Sequence, residues 1–230
     1  MTLPPKPKGI VLVSGGMDSL VLAAFATRES DVALLHVTYG QRTEKKELSC
    51  FQAIADHLKV KERMVADIGY LKAIGGSALT DPSIDVPLAD PGRHGVPATY
   101  VPFRNAHFLC IAVSWAEVIG AKNVYIGAVW ADSSGYPDCR PVFYEAMNEA
   151  VRMGTKDGSE IRVKAPFINL KKKDIVLMGK SLGVPFEHTW SCYRDVEKAC
   201  GRCDSCALRL RAFAEAGLPD PLPYEVRSAP

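Results

Sequence analysis

Residues 13 to 19 read Val-Ser-Gly-Gly-Met-Asp-Ser and follow the short apolar run Gly9–Leu12. Two adjacent glycines let a backbone take conformations closed to other residues and let a ligand come close. Successive N–H groups in such a loop point inward at an anion. A helix starting there adds the positive end of its dipole. The hydroxyls of Ser14 and Ser19 supply further donors, and Asp18 can cap the helix or hold Mg²⁺. The simpler alternative is a tight turn followed by a helix cap. Placement between a strand and a helix favours phosphate, because phosphate loops occur at such junctions.

A second chemical signature lies near the other end. Cys192, Cys200, Cys203 and Cys206 stand at spacings of x7, x2 and x2. Four thiolates match a closed tetrahedral Zn²⁺ site, and the short spacings let tight turns present neighbouring sulfurs to one ion. The alternatives are an iron–sulfur cluster, whose usual ferredoxin spacings differ, or four free thiols. Arg194, Lys198, Arg202, Arg209 and Arg211 could offset the charge of such a site. Closed four-ligand sites are structural, so no chemistry is assigned to this one. Cys50 and Cys110 fall in helical patterns and are expected in the core.

The elements that would hold these residues alternate in type. Strands are expected at 9–14, 32–40, 61–68, 123–129 and 161–167. Helices are expected at 17–30, 43–58, 105–120, 142–155 and 171–183, with Gly120 and Gly183 as stops. Alternation of this kind predicts a parallel sheet covered by helices on both faces, with ligands beyond the carboxyl ends of the strands. Periodicity vanishes over 75–102, a Gly-, Pro- and Asp-rich stretch expected to be a functional lid or a disordered segment. The chain divides into a nucleotide-binding α/β domain, 1–186, and a small helical region, 187–230. The 230 residues are 47% hydrophobic with a formal net charge of +2, which argues for no strong polyelectrolyte partner. With no apolar leader and no run of roughly 20 apolar residues, a soluble, cytoplasmic protein is expected, with no membrane partner.

Neither G-x-x-x-x-G-K-[ST] nor G-x-G-x-x-G occurs. "SGGMDS" instead resembles the pyrophosphate loop of the ATP pyrophosphatase superfamily, which cleaves ATP between the α and β phosphates. Further along, "TYGQRTEKKEL", "TYVPFRN", "GAVWADSSGYPDCRPVF" and "TWSCY" with the cysteine cluster behind it resemble the 7-cyano-7-deazaguanine synthase family. The match runs from residue 10 to about residue 214. Thr43 stands where that family usually has His, and Phe103 where many members have Gly.

The resemblance implies a Rossmann-like fold of the adenine nucleotide hydrolase type with a small C-terminal zinc-binding region. It implies that 7-carboxy-7-deazaguanine, ammonia and ATP are the substrates, that Mg²⁺ accompanies ATP, and that Zn²⁺ is structural. It also implies a homodimer, and no nucleic acid partner is expected. Val13, Ser14, Gly15, Gly16, Met17, Asp18, Ser19, Leu20, Val21, Leu22 and Ala23 correspond to the nucleotide loop and the start of its helix. Catalytic roles fall to Asp18, Ser19, Arg104 and Lys172. Gln41, Arg42, Arg104, Asn105, Asp132, Tyr136, Asp138 and Arg140 are the substrate-side candidates, with either Asp132 or Asp138 accepting from the deazaguanine edge. An RNA-thiolating relative is the rival within the superfamily, and a zinc-stapled nucleotide module without catalysis the rival outside it.

Overall fold

The computed structural model describes residues 4–90, 92–130, 135–156 and 160–227. Five strands form one sheet: β1 (Lys8–Leu12), β2 (Asp31–Thr38), β3 (Arg63–Asp67), β4 (Asn123–Tyr125) and β5 (Arg162–Lys164). Their order is β3-β2-β1-β4-β5, and every pairing is parallel. The longer helices are α1 (Met17–Glu29), α2 (Glu44–His57), α4 (Arg104–Ile119), α5 (Pro141–Gly154), α6 (Lys172–Leu182) and α7 (Asp204–Glu215), with a short α3 (Tyr70–Ile74).

Successive side chains on a strand point to opposite faces, and β1 shows what that does here. Val11 and Val13 join α1, Phe51 and Ile54 of α2, Ile175 of α6 and Phe213 of α7 in one core. Ile10 and Leu12 join Leu109 and Ala112 of α4 and Val151 of α5 in the other. A central strand buried on both sides must be apolar without alternation, and Gly9–Val13 is. Helices α1 and α6 touch at Gly179, where an added Cβ would lie 2.4 Å from Phe186 Cζ and 2.8 Å from Val21 Cγ2. That glycine therefore serves close helix packing.

Two glycine stops close their helices as expected. Gly120 and Gly183 sit at φ +69° and +68° after α4 and α6. Other elements differ from expectation. β4 ends at Tyr125 rather than residue 129: Ile126 makes one last bond to the Lys164 carbonyl, and Ile126 to Val129 line a cavity. Cys110, expected in the core, is exposed, whereas Cys50 is buried. The described residues of the stretch 75–102 form neither helix nor strand, yet they are tied down. Ser77, Ala78, Leu79, Thr80, Thr99 and Val101 are buried, and the Arg42 guanidinium donates to the carbonyls of Ala78, Asp81 and Ile84. No helix among the described residues is long and apolar enough to cross a membrane.

The sheet order reverses direction beside β1, with β2 on one side and β4 on the other. Chains leaving β1 and β4 diverge to opposite faces there and open a crevice at the carboxyl ends.

Candidate active site

The crevice is a cavity of about 270 Å³, and the loop Ser14–Ser19 forms one wall of it. Gly15 has φ +87°, and its missing Cβ would stand 2.6 Å from the Glu47 carbonyl oxygen. Only glycine fits. Gly16 is the N-cap of α1 and carries no side-chain cap, so the helix start is open to a ligand. Ser14 Oγ accepts from Gly16 N at 3.3 Å and lies 3.3 Å from Ser19 Oγ, which donates to the Gly16 carbonyl at 2.9 Å. Gly127 brings the exit of β4 against α1, its Cβ position lying 3.5 Å from the Asp18 carbonyl carbon. The result is a shaped, donor-rich pocket for an anion.

Asp18 and Lys172 form an ion pair at 2.5 Å inside the cavity, with side chains 21% and 15% exposed. Asp18 Oδ1 is buried with no hydrogen-bond partner among the described residues. A buried carboxylate oxygen left unpaired beside a phosphate-shaped loop fits a Mg²⁺ ligand.

The opposite wall is aromatic and cationic. Arg104 Nη1 donates to Tyr39 Oη at 2.9 Å. Its guanidinium carbon lies 5.3, 5.6 and 6.0 Å from the ring centres of Tyr39, Phe108 and Tyr136. Arg104 Nε has no partner among the described residues. Burial pushes the Tyr39 hydroxyl up to about 12 despite the adjacent Arg104 charge, so it is a neutral hydrogen-bonding group. Tyr136 Oη donates to Thr99 Oγ1 at 2.9 Å, which fixes its ring. Asn105 and Cys139 complete this wall, with Asn105 Nδ2 3.4 Å from Cys139 Sγ. Burial raises the Cys139 thiol to about 11, so it stays protonated and is no ready nucleophile.

The remaining sequence candidates lie elsewhere. Leu20, Val21, Leu22 and Ala23 are buried in the core behind the loop. Gln41 accepts from Tyr39 N at 2.9 Å and donates to Glu47 at 3.0 Å, bracing the wall from behind. Arg42 holds the 75–102 stretch. Asp138 Oδ2 accepts from Asn105 N at 2.9 Å at the start of α4, and its buried Oδ1 has no hydrogen-bond partner among the described residues. Arg140 is exposed. Asp132 lies outside the described residues. Cavity residues that sequence reasoning missed include Trp190, Ser191 and Tyr193, which flank Cys192, the first of the four cysteines. Arg209 also reaches the cavity. Its signal in the sequence was a charge set between Leu208 and Leu210 in an amphipathic helix.

Beyond this cavity, the sulfurs of Cys192, Cys200, Cys203 and Cys206 all lie within 4.8 Å of one another, and the residues are buried. Zn–S bonds of about 2.3 Å imply tetrahedral S···S edges of about 3.8 Å, and Cys200 and Cys206 Sγ are 3.9 Å apart. Backbone N–H groups of Arg194, Asp195 and Cys200 aim at Cys192 Sγ at 3.3, 3.4 and 3.3 Å. Such donors favour sulfur in its anionic, metal-binding form. The set fits a four-coordinate cation. Ala78, Val86, Trp190 and Leu222 pack around it.

A family profile described as "Queuosine biosynthesis protein QueC" matches residues 8–217. A 7-cyano-7-deazaguanine synthase of Chlorobaculum parvum is 55% identical over 221 residues, covering 96% of this chain and 97% of that protein. One of Koribacter versatilis is 56% identical over 228 residues, covering 96% and 95%. Among solved structures, the U34-tRNA thiolase NcsA from Methanococcus maripaludis, with its [4Fe-4S] cluster, aligns with a TM-score of 0.50 and 13% identity over 99% of this chain and 77% of that one. At that identity the likeness is one of fold. Matched by the profile over most of its length and more than half identical to those synthases end to end, the chain belongs to the queuosine biosynthesis protein QueC family.

Proposed function

We propose that the protein is a C–N ligase that converts 7-carboxy-7-deazaguanine and ammonia to 7-cyano-7-deazaguanine at the expense of two ATP. The observation that carries this reading is one cavity with an open helix N-terminus and glycine loop on one wall and an aromatic-framed arginine on the other. The names of its close relatives support the same reaction.

A carboxylate is a poor electrophile, since it is anionic and would have to expel oxide. Its oxygen attacks the α-phosphorus of ATP, and the bond to the β-phosphate breaks. The N–H groups of Gly15 to Met17, with the Ser14 and Ser19 hydroxyls, receive the charge that builds on departing pyrophosphate. Donors set in place for developing charge are each worth a few kcal/mol. Lys172 sits to neutralise the phosphates, and Asp18 would hold Mg²⁺, which shields phosphate charge when bound. Arg104 engages the substrate carboxylate by its guanidinium fork, while Tyr39, Phe108 and Tyr136 offer faces to a flat heterocycle. Ammonia adds to the activated carbon, AMP leaves, and an amide results. The amide oxygen attacks a second ATP. Loss of AMP and of the nitrogen-bound protons gives the nitrile. The cysteines hold Zn²⁺ outside this chemistry. A homodimer and a cytoplasmic location belong to the same reading, supported by the family resemblance.

Mass spectrometry of protein mixed with ATP, Mg²⁺, ammonium and the deazaguanine acid tests it. Nitrile and AMP in a ratio of one to two are expected, with Asp18→Asn slowed about 100-fold. Absence of AMP and pyrophosphate with the acid present would overturn the assignment.

A further inference from the structure

The phosphate loop is not held by its own end of the chain alone. Gly15 is gripped from two sides. The Glu47 carbonyl fills its Cβ position at 2.6 Å, and its own carbonyl accepts from Trp190 N at 2.8 Å. The second grip belongs to a strap, residues 189–192, that runs from the loop to the first cysteine of the cluster. Trp190 and Ser191 both line the cavity.

One buried side chain joins both flanks of the strap, which is also held by Thr189 donating to the Phe186 carbonyl at 2.6 Å and Trp190 Nε1 donating to the Asp195 carbonyl at 2.9 Å. Arg209 is 1% exposed and projects from α7 close behind Cys206. Its Nη1 donates to Thr189 Oγ1 at 2.7 Å and Ser191 Oγ at 3.3 Å. Nε and Nη2 meet both carboxylate oxygens of Asp220 at 2.7 and 3.0 Å. Asp220, also 1% exposed at its side chain, neutralises the guanidinium. Tyr224 Oη donates to the same carboxylate at 2.6 Å. With its charge already paired, Arg209 acts chiefly as a rigid fork that fixes two hydroxyls on either side of Trp190. A lysine can neither reproduce the fork nor reach three partners in one plane.

We propose that Arg209 is a positioning residue for the nucleotide chemistry: through Thr189 and Ser191 it sets Trp190 N–H against Gly15, so that the cysteine knuckle and the phosphate loop are one mechanical assembly. This rests on reading Ser14–Ser19 as the triphosphate site. The cluster then matters to the reaction through the strap, without touching a reacting atom.

The test compares Arg209→Lys, Thr189→Val and Ser14→Ala in the metal-loaded protein. Pyrophosphate binding is measured by calorimetry, with metal content and steady-state constants for ATP and the acid alongside. Thr189→Val keeps the Arg209–Asp220 pair, so it remains informative should Arg209→Lys fail to fold. Arg209→Lys and Thr189→Val are expected to retain full metal, to bind pyrophosphate about tenfold more weakly, and to raise KM for ATP but not for the acid. A merely structural role would lower the folded fraction and leave the affinity of the folded protein alone. Wild-type pyrophosphate affinity in folded Thr189→Val overturns the proposal, including when Arg209→Lys binds weakly, since that pair of results means direct contact by Arg209. If Ser14→Ala also binds as the wild type, the loop assignment falls too. If it alone is impaired, that assignment stands and only the strap falls.

Discussion

The phosphate loop and the cysteine knuckle sit side by side, joined by residues 189–192, yet they are built on opposite principles. The loop is shaped by backbone: Gly15 at φ +87°, the Glu47 carbonyl against it, and serine hydroxyls that pair with each other and with Gly16. Contacts within the chain set its shape, and on the proposed reading a nucleotide would be its guest. The knuckle is made of side chains that compete. Contact with Cys203 draws the Cys192 thiol downward, while contact with Cys192 raises Cys203 to about 12 and Cys206 further. Four buried sulfurs this close cannot all be anions without a cation among them, so an ion held there would belong to the fold. A ligand that completes structure and a ligand that visits it should therefore leave opposite marks when removed.

The largest effect is expected at the knuckle. Cys206→Ser should lose its metal and lower Tm by roughly 10 °C, read by calorimetry and elemental analysis. An unchanged Tm would erase the distinction between the two sites. Next comes Gly15→Ala, which forces a side chain into left-handed backbone and onto the Glu47 carbonyl. It should lower Tm by roughly 5 °C, abolish tight ATP binding and keep metal content whole. Metal lost together with ATP binding would mean that the loop and the knuckle fold as one site.

The smallest effect lies beneath the loop. His36 is fully buried, stacked 5.1 Å from Phe51, with Nδ1 2.8 Å from the Val13 carbonyl. Burial lowers its pKa, outweighing the Val13 carbonyl and the charges of Glu47 and Glu44. The unfolded chain therefore takes up a proton first as pH falls through about 6.5, and stability is lost below that point. Urea midpoints should be lower near pH 5.5 than near pH 7. His36→Asn should flatten that slope. A slope identical in both proteins would assign the acid sensitivity to other groups.

Much of this was legible in the sequence, because its signals are local. A glycine pair after an apolar run, cysteines at fixed spacing, and Gly120 and Gly183 ending helices are each decided within a few residues. Apolar runs mislead where a strand leaves its ladder: Ile126 to Val129 read as strand because a cavity lining and a core have the same composition. Long-range partners leave the least trace. Arg209 reads as a counter-charge for the cysteines, and nothing near it points to Asp220 or Thr189. Gln41 and Arg42 sit in a distinctive motif but brace loops, because a side chain's direction depends on neighbours distant in sequence.

The bond from Trp190 to Gly15 also orders events in time. Synthesis delivers β1, the glycine loop and α1 well before the segment from Thr189 to Asp220. A nascent chain on the ribosome therefore carries the anion loop long before the clasp that fastens it.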